Sequence, residues 1–123
     1  MELSTTYPQD NYFTHIVYIG KSMWENEENV ATCGYCAADN LESAEIRKIM
    51  KPVLTIAMRS KREAEKLEKT IHRELDRRYG ARAAVWGCCA LRGGDKPNRS
   101  DEWWVCSTEE IQEVMFKIFS GEL

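Results

Sequence analysis

AEKLEKTIHREL, Ala64 to Leu75, reads as an amphipathic helix that carries a carboxylate on its apolar side. At about 100° per residue, Leu67, Ile71, Ala64, Leu75 and Tyr79 share one arc of about 120°. Glu68 lies inside that arc, between Leu75 and Tyr79, and His72 sits just past its edge. A buried, unpartnered carboxylate is costly. Glu68 is therefore expected to be paired, protonated, bound to a metal or lining a cleft. The helix has clear ends: Ser60-Lys61-Arg62-Glu63 has the pattern of a capping box, and Gly80 suits the C-terminal cap after Tyr79.

Upstream, FTHIVYIG (Phe13 to Gly20) is β-branched and aromatic and predicts a strand. VATCGYC (Val30 to Cys36) predicts a second, close enough to form a hairpin with the first. ADNLESAEIRKIMKP predicts a short helix with Asp39 or Asn40 as its cap, Leu41, Ala44 and Ile49 facing inward, and Pro52 as its stop. VLTIAM (Val53 to Met58) has strand length. Downstream, AAVWGCCAL and WWVC predict two more strands, separated by the glycine- and proline-bearing loop RGGDKPNRSDE. Ser107 repeats the capping device before a helix with Ile111, Val114, Met115, Ile118 and Phe119 on one face. The order β-β-α-β-α-β-β-α predicts an α/β (α+β) domain over 13–120, a small mixed sheet with flanking helices, after a loose lead-in at 1–12.

Length and composition agree with this. A chain of 123 residues, 43% hydrophobic and 30% charged, fits one domain with a real core rather than a disordered segment. It has neither a membrane-length apolar run nor a signal peptide, so a cytoplasmic protein is expected. Five cysteines without an export signal argue for free thiols. A net charge of −3 excludes a strongly basic nucleic-acid binder. It leaves room for a local basic face, because Lys61, Arg62, Arg73 and Arg77 gather on the long helix.

The combination of a leading hairpin, a short helix, a strand and a long helix reading Leu67-Glu68…His72, followed by Glu102-Trp103-Trp104 and a last amphipathic helix, resembles the GIY-YIG endonucleases. The likeness is to their compact, phage-associated branch and covers about Phe13 to Phe119. HIVYIG resembles the first signature strand, with Tyr18 as its tyrosine; TCGYC resembles the second, with Gly34 as its glycine. The resemblance implies a metal-dependent phosphodiesterase acting on DNA, with Glu68 ligating Mg2+ or Mn2+. Tyr18 would stand by the attacking water and His72 would assist. A hard cation wants carboxylate oxygen, and a pentacovalent phosphate wants positive charge.

Two positions depart from the family pattern. Thr32 stands where the second signature has a tyrosine, and the family's phosphate-binding arginine falls at Ala44, with Arg47 one turn later as its stand-in. These departures define a rival: a catalytically inactive copy of the fold that binds a protein or nucleic acid, for instance a phage anti-defence or host-takeover factor in the host cytosol. Trp103 and Trp104 alternate faces in a strand, so one ring would be core and the other an exposed stacking or docking anchor. Cys33-x-x-Cys36 has zinc-ligand spacing, but cysteines in strands are usually small buried hydrophobes, and zinc is disfavoured.

Overall fold

A computed structural model describes residues 13–23, 29–79 and 103–123. The expected strand AAVWGCCAL and the loop RGGDKPNRSDE lie outside the described residues. Four strands, β1 (His15–Ser22), β2 (Ala31–Ala37), β3 (Met50–Met58) and β4 (Trp103–Trp104), form one sheet in the order β3-β1-β2-β4. Among the described residues three α-helices join it: α1 (Leu41–Lys48), α2 (Lys61–Tyr79) and α3 (Thr108–Phe119). The α/β class is as expected. A mixed sheet was expected, whereas each described pairing is antiparallel.

β1 is the centre of the sheet. Its alternation sends Val17 and Ile19 to one face and Tyr18 to the other. Val17 and Ile19 pack with Ala64, Leu67, Ile71 and Leu75 of α2 and with Ile111, Val114 and Met115 of α3, giving the main core. Tyr18 packs with Ala44 of α1 and with Val30, Met50 and Trp103 in a smaller second cluster. Helices therefore cover the sheet on both faces.

Local signals explain most boundaries. Ser60 Oγ accepts the Glu63 backbone N–H at the start of α2. Ser107 and Glu110 make the complete reciprocal capping box at the start of α3. α1 ends earlier than its proline suggests. Ile49 closes it in the left-handed region, with φ 54° and ψ 58°, its N–H returning to the carbonyls of Glu45 and Ile46. Ile49 consequently leaves the helix and is exposed rather than forming its inner face. Pro52 instead sits within β3, opposite Gly20 and beside a register shift in the β1–β3 ladder.

Candidate functional site

Tyr18 and Gly34 are direct cross-strand partners. The Tyr18 ring leans over this glycine: a Cβ at Gly34 would lie 2.5 Å from Tyr18 Oη and 2.7 Å from its Cζ. The absence of a side chain there is what lets the aromatic lie flat against the sheet. Lys48, the last residue of α1, reaches into the same place and is only 4% exposed. Its Nζ donates to Thr32 Oγ1 at 2.9 Å and stands 5.0 Å from the centroid of the Tyr18 ring. A buried ammonium requires such support, here a hydroxyl acceptor, the π face of a tyrosine and the negative end of its own helix. Cys36 borders this group. Burial pushes its thiol upward, partly opposed by the nearby charges of Arg47 and Lys48.

Glu68 is indeed turned inward, at 8% exposure. It lies on α2, over the main core, with its Oε2 4.0 Å from His72 Nε2. His72 is buried as well, and its Nε2 donates to the Cys33 carbonyl at 2.6 Å, since a carbonyl can only accept. β4 pairs with β2 at Ala31 and Thr32, and Cys33 is the next residue along β2. His72 supplies its carbonyl with a donor. The imidazole also packs on Trp104, ring centroids 4.7 Å apart, and Trp104 Nε1 donates to Asp76 Oδ1 at 2.9 Å. One turn of α2 thus holds the short fourth strand in place through His72 and Asp76.

The four residues expected to form one catalytic site are therefore not brought together. Tyr18 belongs to the α1 face and Glu68 and His72 to the α2–α3 face, with the sheet between them. Arg47 is exposed on α1. The cation that does enter the Tyr18 cluster is Lys48, which sequence reasoning passed over. Its signal was present, because Lys48 follows Ala44 by four residues and shares its face. Among the described residues no three His, Cys, Asp or Glu side chains converge as a cation site. Glu68 offers one carboxylate, and the adjacent His72 nitrogen is a donor to a carbonyl rather than a ligand.

The tryptophans differ from expectation too. Both are buried, Trp103 on the α1 face and Trp104 on the α2–α3 face, because helices cover both sides of the sheet. Neither ring is an exposed anchor. Cys33 and Cys36 fall in different clusters on opposite faces, so this pair cannot grip one ion despite its spacing. Cys106 lies in the main core, where burial, with Glu110 adding to it, pushes its thiol up to about 12.

Lys61, Arg62, Arg73 and Arg77 of α2 are all exposed. Near its C-terminus Glu74 gathers Arg77 and Arg78, and the two guanidinium groups hold its carboxyl at about 2. Arg78 also reaches Glu113 of α3 at 3.5 Å, tying the two helices together. No described helix is long and apolar enough to cross a membrane. No family model, curated protein or solved structure matches the chain.

Proposed function

We propose that this chain is a GIY-YIG-like domain that acts by binding rather than by cutting. The observation that carries this reading is the separation of Tyr18 and Lys48 from Glu68 by the thickness of the sheet. Metal-assisted phosphoryl transfer needs the metal, the attacking water and the phosphate cation around one phosphorus atom. Here the carboxylate would lie on one side and the cation on the other. The polar groups also serve the fold itself, since Lys48 ties α1 to β2 and His72 ties α2 to β2. A phage origin, as the resemblance implies, would make the domain a host-takeover or anti-defence factor.

The rival, a Mg2+- or Mn2+-dependent endonuclease, draws on the inward burial of Glu68. Incubating purified protein with supercoiled plasmid and either metal at low salt separates the two. The binding reading expects no nicking above that of a Glu68→Ala control. Metal-dependent nicking that disappears in Glu68→Ala would establish the nuclease.

A further inference from the structure

The outermost strip of α2 is made wholly of cations. At about 100° per residue, Arg62, Lys66, Lys69, Arg73 and Arg77 fall within an arc of about 80°, and no other residue of the helix does. All five are exposed. They follow one another at intervals of about 5–6 Å and span about 22 Å of helix. The carboxylates Glu63, Glu65, Glu74 and Asp76 flank the line without interrupting it, and Asp76 accepts from the Trp104 indole. Glu65 stands 3.5 Å from Lys69, and Glu74 binds Arg77. Among the described residues Arg62, Lys66 and Arg73 have no ion-pair partner.

Resting on the proposal that the domain binds rather than cuts, we infer that this strip is a docking face for the phosphate backbone of duplex nucleic acid. A protein partner would call for an apolar or aromatic centre ringed by polar groups, and this arc contains no such centre. Single strands are held by aromatic stacking platforms, which the arc also lacks. What it offers is regularly spaced positive charge, and the duplex is the polyanion of higher linear charge density. The contact is made to phosphates alone and is independent of base sequence. An overall charge of −3 keeps it local and weak.

Three unpaired cations give a salt dependence that can be worked out in advance. Releasing counterions from three phosphates makes the slope of log K against log salt about −2.7, roughly a 40-fold loss from 50 to 200 mM salt. Fluorescence anisotropy with the full chain, a labelled random-sequence duplex and EDTA reads this directly. Arg62→Glu/Lys66→Glu/Arg73→Glu should lose binding by at least about 30-fold while circular dichroism stays unchanged. Glu65→Gln should release Lys69, tighten binding and steepen the slope to about −3.6. Duplex binding that ignores both variants, or no binding at 20 mM salt, overturns the inference. So does binding of an acidic polypeptide through the same residues with none of the duplex. Because EDTA prevents metal-dependent cleavage, these results are independent of the nicking assay: a nuclease could still dock here, and a non-cutting domain could fail to.

Discussion

Replacing Gly34 with alanine adds a methyl group where the Tyr18 ring already lies. The new carbon would sit 2.5 Å from Oη and 2.7 Å from Cζ, against about 3.5–4.0 Å for ordinary contact. The ring would have to retreat by about 1 Å, but Tyr18 is 1% exposed, and Trp103 and Ala44 hem it in. Lys48 Nζ, 3.2 Å from the same point, would be displaced from Thr32 as well. Overpacking of this kind costs about 1–3 kcal/mol, so Gly34→Ala should destabilise by about 2 kcal/mol. With a urea m-value of about 1–3 kcal/mol/M, the midpoint should fall by about 1 M. The cause can be isolated in a double-mutant cycle. Tyr18→Leu removes both clashing atoms, so Gly34→Ala in that background should be nearly neutral, giving a coupling of about 1–2 kcal/mol. A Gly34→Ala protein within 0.5 kcal/mol of wild type would refute the close packing of Tyr18 on Gly34 (a threshold of about the size of surface-substitution effects).

Several other perturbations have a defined sign. His72→Ala removes the hydrogen bond to the Cys33 carbonyl and the packing on Trp104, and should cost about 1–3 kcal/mol in urea unfolding; a silent substitution would mean the bond is not made. Glu74 has a folded-state pKa of about 2, depressed below the ordinary 4.5 by Arg77 and Arg78. Its stabilisation is therefore complete above about pH 4.5 and lost as pH falls through about 2. Glu74→Gln should flatten that acid limb by at most about 1 kcal/mol, the range of exposed ion pairs. Cys106, buried and with its thiol up at about 12, should resist alkylation at pH 8 in the native protein, while the half-buried Cys36 labels before it. Peptide mass mapping with Cys106 modified before Cys36 would contradict the packing. Ile49→Gly should stabilise by about 0.5–1 kcal/mol by removing a β-branched residue from the left-handed region, and a loss of stability would argue against that cap.

Periodicity made the helices and the hairpin legible. The capping patterns at Ser60 and Ser107 located two helix starts, and the three-four spacing of Ile111, Val114 and Met115 marked their buried face. The inward turn of Glu68 was legible for the same reason. What it faces was not, because a helical wheel gives direction but not the layer lying opposite. Tyr18 and Glu68 could be separated only by knowing that α1 and α2 pack on opposite sides of the sheet. Trp103 and Trp104 show the same limit. Alternation put them on different faces correctly, but that both faces are covered is a property of the tertiary arrangement. The end of α1 was misplaced because Pro52 looked like its stop, whereas the chain turns at Ile49, a residue whose type disfavours the conformation it adopts. That turn leaves Lys48 as the last helical residue, in line with Ala44 and directed inward, while Arg47 remains outside.

The central claim is that the cation-bearing cluster and the buried glutamate occupy opposite faces of one sheet. Side-chain nuclear Overhauser effects in isotope-labelled protein test it most directly. The structure predicts cross-peaks from the Tyr18 ring to the Gly34 α-protons and the Lys48 ε-protons, and from the His72 ring to the Trp104 indole. Cross-peaks between the Tyr18 ring or Lys48 and the γ-protons of Glu68 would place all three in one cleft and contradict the account.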